Sequence, residues 1–167
     1  LVVRNEDMTG RIKAGEGSLI GNAGEHYVMA ELLKRGIIAA LTPRNVPGFD
    51  ILATRGDQTV RIRVKTKSED YDGWQWNAKE DGSIFKNMGK QNDFTVMVNL
   101  ARDIRDLKFY IVPTVMLDRW LKRDFKRWVK TPGAKGQQRA KDNKKRVLYF
   151  SRYKTRLGED WEVLWKQ

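Results

Sequence analysis

Between residues 59 and 67 the chain alternates strictly. Val60, Ile62, Val64 and Thr66 fall on one side, and Arg61, Arg63, Lys65 and Lys67 on the other. A period of two predicts a strand with one apolar and one cationic face. The run 49–54 (FDILAT) precedes it, and the short turn holding Gly56 and Asp57 joins the two as a hairpin. Further upstream, Leu19, Ile20, Ala23, Tyr27, Ala30 and Leu33 recur at helical spacing. They predict a helix that opens at Ser18 as N-cap and closes at Gly36. Short apolar runs at 37–42, 94–100 and 108–112 predict three more strands, the last ended by Pro113. Residues 115–129 place Val115, Leu117, Trp120, Leu121, Phe125, Trp128 and Val129 near one face of a second helix. Residues 147–151 read as a last strand and 161–165 (WEVLW) as a short terminal element. Residues 1–17 read as a polar arm, and 68–93 as a long connection carrying Trp74, Trp76, Ile84 and Phe85. There is no internal repeat and no clean domain boundary, so the pattern predicts one mixed α/β domain over 1–167.

Composition adds limits. A chain of 167 residues with 40% hydrophobic content can bury a core, which excludes wholesale disorder. No apolar run reaches the roughly 18–20 residues a bilayer requires. No secretory signal is visible and there is no Cys, which excludes disulfides and thiolate zinc sites; a cytoplasmic setting is expected.

Charge changes the picture more. The net charge is +12, and residues 119–156 alone hold 15 Lys/Arg against 2 Asp/Glu. A one-sided patch of this kind favours a polyanion, nucleic acid ahead of an anionic membrane or an acidic protein. The plainer alternative is a solvated basic helix and loop. The expected phosphate contacts are Arg61 and Lys67 on the strand, then Lys122, Arg123, Lys126, Arg127, Lys130, Lys135, Arg139, Lys144, Lys145 and Arg146.

Three residues stand in line for chemistry: Glu25 on the first helix, Asp50 opening a strand and Lys65 on the next strand. Two carboxylates and a lysine are what metal-dependent phosphodiester hydrolysis needs. Hard oxygen ligands hold Mg²⁺ or Mn²⁺, and the ion polarises the phosphoryl oxygen and acidifies a bound water. A lysine beside it orients that water or counters developing charge.

The segments GNAGEHYVMAELLKRG, GFDILAT and VRIRVKT resemble, in that order, the core of the PD-(D/E)xK nuclease superfamily, which includes restriction enzymes, Holliday-junction resolvases and some homing endonucleases. The likeness spans about residues 16–112. It implies a restriction-endonuclease-like αβββαβ core with a central mixed sheet flanked by helices. It implies a DNA endonuclease that acts on double-stranded DNA with Mg²⁺ or Mn²⁺, with a homodimer as its working form. Asp50 and Glu25 would be the metal-holding acids, the Val64 carbonyl an additional ligand and Lys65 the motif lysine. The departure is Arg63, which stands where the family carries Glu, Asp or Gln. Like charges repel by about 4 kcal/mol at 4 Å even at an effective dielectric near 20, so Arg63 opposes a metal ion. Three accounts are open. Arg63 pairs with Asp50 or Glu25 and leaves a non-catalytic nucleic-acid-binding scaffold; it swings aside and the site works with fewer ligands; or it was introduced to inactivate a nuclease.

Each residue also has a duller reading. Asn22 and Glu25 have capping-box spacing. Asp50 could terminate the preceding Pro-Gly turn, and Lys65 could face solvent. His26 reads as a surface histidine. Trp74, Trp76 and Phe85 could stack on bases, but packing the long connection onto the core is the commoner use. Trp120, Phe125 and Trp128 read as core residues of the basic helix.

Overall fold

The computed structural model describes residues 17–43, 48–68, 71–100 and 104–166. The arm expected over 1–17 lies outside the described residues except for Gly17, which begins the first helix. Helix α1 spans Gly17–Lys34. It ends in a double turn closed by hydrogen bonds from Ile37 N to Leu32 O and from Gly36 N to Leu33 O. That 6→1 and 5→2 pair needs a left-handed residue, and Gly36 supplies it at φ 72°.

Strands β1 (Ile38–Leu41), β2 (Ile51–Arg55) and β3 (Gln58–Lys67) follow. Arg55 and Gln58 close the β2–β3 hairpin, and of its two turn residues only Gly56 has positive φ, as a type II′ turn requires. Next come β4 (Gly73–Asn77), β5 (Asp93–Asn99), β6 (Lys108–Pro113), α2 (Thr114–Lys130), β7 (Lys145–Tyr149) and the helical turn α3 (Phe150–Tyr153). The main sheet has the order β1-β2-β3-β5-β6. The β3–β5 pair is parallel and the others antiparallel, so the sheet is mixed. β4 and β7 form a separate antiparallel ribbon.

Each face of the sheet has its own core. Ile51, Val60, Ile62, Val96 and Val98 meet Val28 and Leu32 of α1, together with Trp161 and Leu164. Met97 and Val112 on the other face meet Leu117, Trp120 and Leu121 of α2 and Trp74, Trp76 and Leu148 of the ribbon. β5 is buried along almost its whole length, as a central strand covered on both faces must be. The mixed α/β class, the five strands and a helix on each face are those expected from the sequence. The crossover between the parallel strands, a helix in the αβββαβ scheme, is carried by β4 and the segment before β5.

One strand boundary is corrected and two open alternatives are decided. The capping box fails, because α1 begins five residues before Asn22 and holds Asn22 and Glu25 in its interior. The last strand stops at Tyr149 rather than residue 151. Asp72 turns the chain there: its carbonyl accepts from Phe150 N and its carboxylate from Ser151 N at 2.9 Å, which starts α3. Trp74 and Trp76 are buried, with Trp74 Nε1 donating to Val98 O at 3.0 Å, so they pack the fold and do not stack on bases.

α1 approaches β3 most closely at Gly24. A methyl group there would overlap the Thr66 hydroxyl and lie 2.9 Å from the Thr66 Cβ. Gly24→Ala is therefore expected to cost about 2–3 kcal/mol despite alanine's better helix propensity. Gly21→Ala, with no atom within 4 Å of the added methyl, is expected to be neutral or stabilising. Urea unfolding of both variants checks the pair.

Candidate phosphodiester-cleaving site

β2 and β3 build the site. Ile51 pairs with Ile62, so the next position sets Asp50 opposite Arg63. Ile51 and Ile62 are in the α1 core, so Asp50, Arg63 and Lys65 fall on the opposite face. β2 begins at Ile51, and Asp50 just before it extends the pairing to β3 with main chain and side chain together. Its N–H donates to Ile62 O at 2.8 Å, and its Oδ2 accepts from Val64 N at 2.7 Å. A strand residue turns its N–H and C=O to the same edge, so the Val64 carbonyl faces the edge that holds the Asp50 carboxylate.

The surroundings push Asp50 and Lys65 toward neutrality. Burial raises the Asp50 pKa above the ordinary carboxylate value, against the Val64 N–H and the charges of Arg63 and Lys65, which lower it. Burial and Arg63 lower the Lys65 pKa, and Asp50 opposes them. The Lys65 ammonium lies 5.9 Å from the Trp76 ring centroid, so β4 roofs this end of the face.

Arg63 does not form an ion pair with Asp50. Its Nη1 donates to Gly48 O at 3.1 Å, holding the guanidinium toward the residues that precede β2. Pairing of Arg63 with Asp50, part of the first of the three accounts, is not the geometry found, although the Arg63 charge still acts on Asp50. Asp50 is left as a half-buried carboxylate with one backbone donor and no salt bridge, a poorly compensated negative charge. That fits a cation, with Asp50 and the Val64 carbonyl as oxygen donors. Glu25 is half-buried on α1, which covers the opposite face of the sheet through the Gly24–Thr66 contact, so the expected Asp50–Glu25 pair does not share one face. Among the described residues no three acidic or His side chains cluster to hold a metal, so an ion here would keep waters or substrate oxygens as its remaining ligands.

The raised Asp50 pKa has a stability consequence. Ionised Asp50 is disfavoured in the fold relative to the unfolded chain. That cost is present in full above its folded-state pKa and vanishes as pH falls below the ordinary carboxylate range. Asp50→Asn keeps an acceptor for Val64 N. It is expected to raise the metal-free Tm by a few degrees at pH 7 and to change it little near pH 3; calorimetry at both pH values checks this.

The structure divides the expected phosphate contacts. Lys126, Lys130, Lys135 and Lys145 are exposed, as are Lys122, ion-paired to Asp118 at 2.6 Å, Arg123, bonded to Tyr153 Oη, and Lys144, 3.9 Å from Glu80. Arg127 is exposed beside Asp124. Two expectations are corrected. Arg61 is bound to the fully buried Asp93 through Nε at 2.7 Å and Nη2 at 2.8 Å. Lys67 is buried, its Nζ donating to Tyr71 O and lying 5.0 Å from the Trp74 ring. Both cations serve the fold and do not face phosphates. Arg146 is buried with its guanidinium 3.4 Å from the Phe125 ring centroid, and Arg139 lies 4.7 Å from that of Trp128. Phe125 and Trp128, expected in the core, instead line a pocket with these arginines. No local signal separates them from the core positions Leu117, Trp120 and Leu121, whose helix face they continue. His26 is exposed, with Nδ1 2.8 Å from Asn22 O, as a surface histidine should be. No described helix is long and apolar enough to cross a membrane.

Comparison with known proteins adds the following. Several solved structures resemble this one, these two among them. The first is a bacterial homing endonuclease, 18% identical over 62% of this chain and 72% of its own, with a TM-score of 0.47. The second is a Holliday junction resolvase from Archaeoglobus fulgidus, 19% identical over 88% of this chain and 97% of its own, with a TM-score of 0.49. The chain is thus similar in structure to an endonuclease and to a junction resolvase. No family model and no curated protein matches.

Proposed function

We propose that this chain is a divalent-metal-dependent endonuclease acting on double-stranded DNA, with the scissile phosphate at Asp50 and Lys65. The observation that carries the reading is the pairing of an Asp50 carboxylate, fixed by Val64 N and pushed toward protonation, with a Lys65 ammonium pushed toward its neutral form on the same sheet face. Perturbed, oppositely shifted groups of this kind are a hallmark of reactive sites.

Asp50 and the Val64 carbonyl would hold Mg²⁺ or Mn²⁺, with waters or substrate oxygens completing the shell; when bound, the ion polarises the phosphoryl oxygen and lowers the pKa of a water. Lys65 Nζ holds the attacking water in line with the phosphorus and counters the charge that grows on the phosphoryl oxygens. Val64 N fixes the Asp50 carboxylate in one rotamer, so no ordering is needed when substrate arrives. The exposed cations of α2 and of the segment before β7 position the duplex through its phosphates.

Arg63 favours a second reading, a nucleic-acid-binding protein with little or no cleavage, because its fixed charge stands beside the carboxylate. The two separate on one variant. Arg63→Gln is expected to tighten Mn²⁺ binding by at least about tenfold, as removal of a neighbouring like charge predicts, and to raise nicking of supercoiled plasmid. Calorimetric titration and a plasmid assay measure both. Unchanged metal affinity and absent nicking in both proteins would favour the non-catalytic reading.

A further inference from the structure

A pocket of about 480 Å³ opens between α2 and β7. Its size is that of a small-ligand site. Its walls combine two features that surface lysines do not. Arg127, Arg139, Lys145, Arg146 and Arg152 face a single carboxylate, Asp124, so the lining favours an anion. Phe125 and Trp128 lie nearly parallel, with centroids 5.8 Å apart and an interplanar angle of 18°, and carry Arg146 and Arg139 on their rings. The Arg139 Nε is buried and has no hydrogen-bond partner. A buried guanidinium donor left unmatched costs free energy and calls for an acceptor. Asp124 is 6% exposed; it pairs with Arg152 at 2.9 Å, yet neither carboxylate oxygen accepts a hydrogen bond of good geometry. Arg146 is also the cross-strand partner of Trp76, the ring that borders Lys65. The β4–β7 ribbon therefore links the pocket lining to the Asp50–Lys65 site.

We infer that the pocket receives one unpaired nucleotide of the nucleic-acid substrate, its base along the Phe125–Trp128 aromatic wall and its phosphate on the Arg139 Nε and Arg146. The choice of nucleotide over other aromatic anions rests on the proposed nuclease reading; the aromatic and cationic site itself does not. Base–aromatic stacking and arginine-bound phosphate are the two components of single-strand recognition. A nucleotide held here beside the cleavage site selects substrates with a base already free of its partner, such as a junction, flap or mismatch.

The test uses 2-aminopurine deoxynucleoside monophosphate, whose fluorescence falls on stacking. Titration into the full chain is expected to give saturable quenching that inorganic phosphate displaces only at far higher concentration. Trp128→Ala and Arg139→Ala are each expected to weaken binding about tenfold or more, and Trp128→Phe by less than about threefold, with circular dichroism confirming that each variant is folded. Absence of saturable quenching, equal affinity in the Arg139 variant, or displacement by phosphate at the nucleotide's own concentration would overturn the inference. Saturable quenching in a protein that does not nick DNA would support the pocket while contradicting the nuclease reading.

Discussion

Asp50→Ala is expected to abolish metal-dependent nicking, with a loss of about a thousandfold or more. The carboxylate is the acid that β2 delivers to the reactive face, and it is fixed there by Val64 N. Metal-assisted charge stabilisation contributes several kcal/mol to such a transition state, and each 1.36 kcal/mol is a factor of ten. Lys65→Ala is expected to cost less, about a hundredfold to a thousandfold, because removing one charge-stabilising donor leaves the metal-holding oxygens in place. Single-turnover nicking of supercoiled plasmid measures both. Full activity in Asp50→Ala would remove the site assignment. Full activity in Lys65→Ala alone would remove only the role given to the lysine.

Asp93→Ala is expected to have the largest effect on stability. Its carboxylate is fully buried and accepts from Arg61 Nε and Nη2 and from Gly89 N and Lys90 N, all between 2.7 and 2.8 Å. Arg61 also donates to Asn87 O at 3.0 Å, so the pair ties the crossover segment to the start of β3 and β5. Truncating one partner strands a guanidinium with a side chain only 21% exposed and leaves two backbone donors unmatched. Breaking a buried pair costs about 3–5 kcal/mol, which for a chain of this size lowers Tm by about 10 °C. Replacing both partners with apolar residues, as in Arg61→Met with Asp93→Leu, is expected to recover much of that loss. Thermal unfolding of the single and double variants distinguishes a buried pair from a surface one. Arg61→Met should also leave the salt dependence of DNA binding unchanged, since this cation does not meet phosphates.

Much of the frame was legible because each signal was local. The β2–β3 hairpin followed from alternation and a Gly-Asp turn, and the end of α1 from Gly36. The placement of Asp50 and Lys65 on one face followed from the period of two. What escaped notice depended on partners remote in sequence. Arg61 and Lys67 alternate like Arg63 and Lys65, but Asp93 and the Trp74 ring claim them from other strands. Phe125 and Trp128 share a helix face with true core residues, and only the path of residues 131–146 decides that they line a pocket. The β4–β7 ribbon joins segments more than 60 residues apart, and no periodicity announces such a pairing. Arg63 was legible as a departure, but its bond to Gly48 O needed the geometry of the chain that precedes β2.

The central claim is that Asp50 marks a divalent-cation site on the cationic face of the sheet. Electron paramagnetic resonance titration of Mn²⁺ into the full chain, compared with Asp50→Ala, tests it most directly. One Mn²⁺ bound per chain, lost in Asp50→Ala and retained in Trp128→Ala, is the result predicted. Equal Mn²⁺ binding by the wild type and Asp50→Ala, or none by the wild type even with DNA present, would contradict it.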